Sequence, residues 1–402
     1  MPNPADRQLI RAINRALVLQ LIRLDGPISR AAIARATGLT QVTVGTITAE
    51  LMANGLVDEG AQAPSTGGRP GTLVHLVPRS YFAIGVKVME THIVGAVTDL
   101  EGNAVAEADV PIDRMDPASV VRSISHLVDL LIDRTATVRS KILGVGIGLA
   151  GVIDGRAGIC RYSPFLGWHD VPIAELASRA LGISVLVEND VNTLALAERW
   201  FGVGHDVSDF VLVTLGRGVG LGIVADSRLH QGARGGAGEF GHTIVDNSDR
   251  PCTCGKTGCL EATVSEPSLI AAARDLLGSK NSPVDAEEFY ALIPETPALR
   301  PLLTAAGTML GRALANVVNL LAPSLVILSG EGIRAGNSLL EPMREELAAR
   351  VFDGLQGTYQ LVVEPLPDAA WARGAASLVL GELFELPTRV QADLRWSKRN
   401  VS

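Results

Sequence analysis

The order of apolar and polar positions divides the chain into two regions of different periodicity. Over residues 7–24, Leu9, Ile10, Ile13, Leu17, Leu21 and Leu24 recur at helical spacing, and Asp25-Gly26-Pro27 ends that helix. Ser29 is suited to cap a short helix, Arg30 to Ala36, with Ala32 and Ile33 turned inward. Thr37-Gly38-Leu39 predicts a tight turn. Thr40 then caps a third helix that buries Val44, Ile47 and Leu51 and closes at the left-handed signal Asn54-Gly55. Leu56-Val57 starts an extended stretch. A long helix, two short helices joined by a glycine turn, and strands make the pattern of a winged helix-turn-helix. In that reading Gln41, Thr43 and Thr46 face base edges, and Arg30 and Arg35 hold phosphates. A small helical protein-interaction module has the same pattern.

From Tyr81 onward the pattern is α/β. Strands are expected at residues 82–88, 93–99, 104–112, 142–149 and 185–187, with helices after Pro117, from Val171 to Leu181 and from Val191 to Trp200, the last capped by Asp190. A second series has a strand at 210–215, a glycine-rich turn at 216–222, a strand at 223–225, a long helix from Ala305 to Leu321, a strand at 325–328 and a final helix from Trp371 to Glu382. Two successive units that each open on a β-meander predict two related lobes with a cleft between them. The expected division is residues 1–60 for the DNA-binding module, 61–79 for linker and wing, and 80–402 for the body. Within the linker, Gly68-Arg69-Pro70 fits either a plain loop or an arm that places Arg69 in a narrow minor groove.

Length supports that division, because 402 residues exceed what one core usually organises. Charge adds an asymmetry. The first 80 residues hold eight Lys/Arg against five Asp/Glu, and the remainder 27 against 38. A mildly basic module on an acidic body fits nucleic-acid binding joined to another activity. Met1-Pro2-Asn3-Pro4 lacks a basic region followed by an apolar core, and no apolar run is long enough to span a bilayer, so a cytoplasmic location without membrane contact is expected.

The chemistry concentrates in residues 238–261. Three of the four cysteines lie there, Cys252, Cys254 and Cys259, with His242 ahead of them. Thiolates and an imidazole are the ligands that a structural zinc ion prefers, and four protein ligands complete a closed tetrahedral site. The cysteines lie in a polar, glycine-rich loop and not on an apolar stripe, so one structural zinc per chain is expected.

Four stretches stand out as motifs: Ser163-Pro164-Phe165-Leu166-Gly167-Trp168, Glu188-Asn189-Asp190, Gly238-Glu239-Phe240-Gly241-His242 and the run from Cys252 to Glu261. In these the chain closely resembles the ROK family of repressors, open reading frames and kinases. It implies a two-lobed sugar-kinase/actin-like (ribonuclease H-like) body, and the N-terminal segment is similar to that of the family's repressors. It implies that Asn189, Asp190, Glu239, His242 and Glu261 face a sugar, with Asp190 at the position of the kinases' general base. The kinases' first phosphate loop, Asp-x-Gly-Gly-Thr, is here Lys87-Val88-Met89-Glu90-Thr91, and their Gly-Thr-Gly is Gly216-Arg217-Gly218. The expectation is therefore a non-enzymatic, sugar-controlled repressor of carbohydrate-utilisation genes that binds operator DNA as a homodimer or homotetramer. The alternatives are an ATP-dependent sugar kinase with a DNA-binding arm and a regulator controlled by a protein partner.

Overall fold

A computed structural model describes residues 4–62, 71–246, 249–278, 283 and 285–384. The N-terminal module follows its local signals. Helix Pro4–Asp25 precedes helix Arg30–Thr37, whose first turn is capped by Ser29 Oγ accepting from the Ala32 amide. Gly38, in the left-handed region at φ 70°, ends that helix, and Thr40 Oγ1 accepts from the Thr43 amide to start helix Gln41–Ala53. Each cap satisfies a donor that the helix start leaves unpaired. Strand Thr72–Leu76 pairs antiparallel with both Val57–Gln62 and Ile28–Ser29. Part of the segment read as a linker is therefore the second strand of the wing. Residues 63–70, including Arg69, lie outside the described residues.

The body has two five-stranded sheets. The first runs in the order 185–189, 142–149, 82–88, 92–98, 104–111, and helices Pro117–Thr135 and Ile173–Leu181 pack on one face. The second runs 228–229, 219–225, 210–215, 325–329, 360–363, with helices Arg300–Leu321 and Asn337–Arg350 on one face. A small sheet of strands 152–154, 159–163 and 168–171 adjoins the first. The expected glycine turn at 216–222 is shorter, because strand Val219–Ala225 already includes Gly220 and Gly222. These glycines let helix Asp190–Phe201 approach the sheet: a Cβ on Gly222 would stand 2.7 Å from Ala195 Cβ.

Helix Asp190–Phe201 and helix Asp368–Phe384 lie on the first sheet's other face, and the former also covers the second sheet. Asp368–Phe384 rests almost on the backbone of the strands. A Cβ on Gly85 would meet Ala372 O at 1.8 Å, and one on Gly146 would meet Ala375 O at 1.8 Å. An alanine at either position forces the helix away, an overpacking cost of about 1–3 kcal/mol or more.

The N-terminal module does not hang free of the body. One apolar cluster contains Leu19, Ile22, Val44 and Leu51 of the module together with Leu196, Trp200, Leu380 and Phe384 of the body. A shared core of this kind holds the module against two body helices. Among the described residues, no helix is long and apolar enough to cross a membrane.

Candidate functional site

The two lobes enclose a cavity of about 530 Å³ lined by both sheets' loops. The first sheet presents the ends of strands Phe82–Val88 and Val185–Asn189. The second presents Arg217–Gly220, and the metal-ligand loop contributes Glu239, His242 and Glu261. Asn189, Asp190, Glu239, His242 and Glu261, more than 70 residues apart at the extremes, thus share one wall system.

Each of these side chains is held by neighbours. Asn189, not Asp190, caps helix Asp190–Phe201: its Oδ1 accepts from the Asn192 amide at 3.1 Å, because Asn189 keeps extended backbone while Asp190 already has helical geometry. Asn189 Nδ2 also donates to Gly151 O at 3.0 Å, which leaves one amide hydrogen and one lone pair for a ligand. Asp190 is 8% exposed; its Oδ1 accepts from the Val191 amide. Glu261, buried to the same degree, accepts from the Val219 amide at 3.0 Å on Oε2 and from the Thr253 hydroxyl at 3.1 Å on Oε1. Glu239 carries no such anchor; its side chain is 46% exposed, and partial desolvation in the cleft raises its pKa above the ordinary carboxylate value. Behind the wall, burial also raises Glu188, while donors from Asn189, Asn192 and Gln231 oppose that shift.

Two contacts that the sequence did not reveal add charged side chains to the same lining. Lys87 Nζ forms an ion pair with Asp190 Oδ2 and stands 4.3 Å from the centre of the Trp371 ring. Arg217 forms an ion pair with Glu90 across the cleft and lies 5.3 Å from the Phe165 ring centre. Glu90 and Arg217 come from loops of the two different sheets, so each loop's charge is taken up by the other. Phe165 also lines the cavity.

The metal ligands converge. One ligand atom from each of His242, Cys252, Cys254 and Cys259 falls within 4.8 Å of the others. Cys252 Sγ is 3.5 Å from His242 Nδ1, and Cys254 Sγ is 3.7 Å from Cys259 Sγ. A tetrahedral ion with bonds of about 2.3 Å separates its ligands by about 3.8 Å, so the set fits a cation of zinc's size. Burial, then the neighbouring sulfurs, push Cys259 up to about 12. A bound cation reverses that preference and favours the thiolate. His242 turns Nε2 the other way, 3.9 Å from Glu239 Oε2. The ring thus joins the metal cluster to the cavity wall.

On the winged helix, Gln41 and Thr46 are exposed and Thr43 is partly so. Arg35 is exposed, and Arg30 has partners within the module. Its Nε donates to Thr48 Oγ1 at 2.9 Å and its Nη1 pairs with Glu59 at 2.6 Å, so the guanidinium ties the module's helices to its wing. Val42 is a surface residue that hydrophobic patterning passed over. It is 80% exposed beside Gln41, an unusual place for a β-branched apolar side chain.

The family model described as "ROK family" matches residues 83–382. The chain is 29% identical over 392 residues to the xylose repressor of Caldicellulosiruptor bescii, covering 94% of this chain and 98% of the relative. It is 27% identical over 378 residues to the DNA-binding transcriptional dual regulator NagC of Escherichia coli, covering 92% and 93%. A crystal structure of a ROK family transcriptional regulator, a homologue of the E. coli MLC protein, superposes with a TM-score of 0.84 at 25% identity, covering 96% of this chain and 99% of that one. The Streptomyces griseus ROK glucokinase, solved with glucose and AMPPNP, superposes with a TM-score of 0.64 at 26% identity, covering 74% and 98%. Matching motifs, the two-lobed architecture and the family model agree: this chain belongs to the ROK family.

Proposed function

We propose that the protein is a sequence-specific DNA-binding repressor of carbohydrate-utilisation genes, controlled by a sugar held between the lobes. One observation carries this reading. The sugar-facing end of the cleft keeps its polar side chains, while Lys87 occupies the position beside Asp190 and Glu90 pairs with Arg217 where phosphate would lie. Phosphoryl transfer needs phosphate-neutralising contacts and a group free to take the hydroxyl proton. Here the candidate base is engaged by an ammonium, and a carboxylate stands at the phosphate end. Relatives named xylose repressor make an aldopentose, D-xylose, the first effector to try, and the N-acetylglucosamine repressors make an amino sugar the second.

In this reading Gln41, Thr43 and Thr46 read base edges, Val42 meets a thymine methyl, and Arg35 and Arg69 hold the backbone and the minor groove. One winged helix covers one half-site, so a homodimer or homotetramer on a palindromic operator follows, in the cytoplasm. His242, Cys252, Cys254 and Cys259 would hold zinc, whose contribution is structural: it fixes His242, and through it the Glu239 and Glu261 wall. A mobility-shift assay with DNA from upstream of the protein's own gene should give a specific complex at moderate salt that D-xylose or an amino sugar dissociates. No specific complex would sink the reading.

The retained Asn189-Asp190 pair and the likeness to a glucokinase favour one competitor, an ATP-dependent kinase with a DNA-binding arm. A coupled assay over hexoses and pentoses separates the two. Turnover that disappears in Asp190→Asn would establish the kinase.

A further inference from the structure

Two helices begin at the cavity and end at the DNA-binding module. Asp190 is the first residue of helix Asp190–Phe201, and Trp371 stands in the first turn of helix Asp368–Phe384; both line the cavity. Lys87 touches both, through its ion pair with Asp190 and its position 4.3 Å from the Trp371 ring centre. The helices are in close backbone approach, since a Cβ on Gly374 would lie 2.2 Å from Thr193 O. Their far ends meet as well, with the Trp200 and Phe384 ring centres 5.9 Å apart. There the Arg23 guanidinium carbon lies 4.2 Å from the Trp200 ring centre and 5.5 Å from that of Phe384. Arg23 belongs to helix Pro4–Asp25 of the DNA-binding module. At 1.5 Å per residue the pair spans about 15–20 Å.

We infer that these paired helices are the element through which cavity occupancy acts on the winged helix, with Lys87 as the positioning residue at one end and Arg23 at the other. The inference rests on the sugar-responsive function proposed above. A sugar hydroxyl that hydrogen-bonds Asp190 competes with Lys87 for the carboxylate. Lys87 also rests on Trp371, so a change in its pairing alters how the first turns of the two helices sit against each other. Interiors are close-packed, and Gly374 leaves no slack against Thr193, so the change reaches Trp200 and Phe384 as a displacement and not as local relaxation. Arg23 bridges those two rings. Two arrangements that differ in sugar affinity then differ in the placement of the winged helix, which is the differential that coupling requires.

The test measures reciprocal coupling in the full chain with D-xylose and an operator fragment. In the wild type, saturating D-xylose should raise the operator Kd by about tenfold or more, and operator should raise the D-xylose Kd by the same factor. Arg23→Met should keep D-xylose affinity without DNA within about twofold of wild type while the coupling factor falls below about twofold. Lys87→Met should lose the coupling too. Wild-type coupling in either variant overturns the inference and leaves the repressor function standing. A wild type that binds neither operator nor sugar contradicts the function itself. Hydrogen exchange on the wild type gives a readout independent of variant folding. D-xylose should change amide protection over residues 196–201 and 378–384; operator release with unchanged protection there would refute the coupling element.

Discussion

Two sets of side chains line the cleft, and they meet different partners. Asn189, Glu239, His242 and Glu261 line the cavity beside four side chains that could hold a metal ion. Among them stand charged side chains that pair with one another, Lys87 with Asp190 and Glu90 with Arg217. The first set offers polar atoms to the cavity, and the second is a clasp of ion pairs. Asp190 belongs to both sets: its Oδ1 accepts from the Val191 amide and its Oδ2 pairs with Lys87. The difference teaches what would separate binding from chemistry in such a cleft: recognition uses polar atoms left open to a ligand, and phosphoryl transfer also needs contacts that neutralise phosphate.

The largest effect that would sharpen this contrast is at the metal. Cys254→Ser should lose the bound metal completely by elemental analysis and lower Tm by about 5–15 °C, since metal binding and local folding are coupled. Unchanged metal content would remove the site. Because the Cys259 thiol is pushed up to about 12 without a cation, metal binding must release protons. Retention against a chelator should therefore weaken as pH falls, for example from 7.5 to 5.5. Retention independent of pH would argue against thiolate ligation.

A smaller effect is expected on the recognition wall itself. Glu239→Gln should weaken D-xylose binding by about 10–100-fold in calorimetry, the loss of a hydrogen bond to a charged acceptor, with operator affinity unchanged. Sugar binding at wild-type strength would take Glu239 out of the site. Smaller again, Arg69→Ala should weaken operator binding by about 3–10-fold and lower the salt slope by about 0.9, with sugar binding intact. An unaltered slope would reduce residues 63–70 to a spacer. At the ion-paired clasp the expected effect is nil. Magnesium-ATP at millimolar concentration should leave Tm unmoved, and a clear stabilisation would break the contrast between the two sets of side chains.

What could be read in the sequence was local. Ser29, Gly38, Thr40 and the Val44–Ile47–Leu51 face announce the winged helix because caps and periodicity act over a few residues. The metal set is legible because its three cysteines lie within eight residues of one another. The clasp was not legible. Lys87 and Asp190 are 103 residues apart, and only the parallel pairing of 82–88 and 185–189 with the strand between them, 142–149, brings them together. The partners of Arg30 were hidden for a related reason. An exposed-looking arginine on a DNA-binding helix has Thr48 and Glu59 as tertiary partners that spacing does not announce. Gly220 and Gly222 read as a loop because strand glycines that admit a helix are indistinguishable, in sequence, from turn glycines.

The claim that this cleft is a sensor is tested most directly by operator-binding isotherms in fluorescence anisotropy, with and without D-xylose and with no nucleotide present. The account predicts a shift of about tenfold or more toward weaker binding. Superimposable isotherms across D-xylose and a panel of neutral pentoses, hexoses and amino sugars would contradict it.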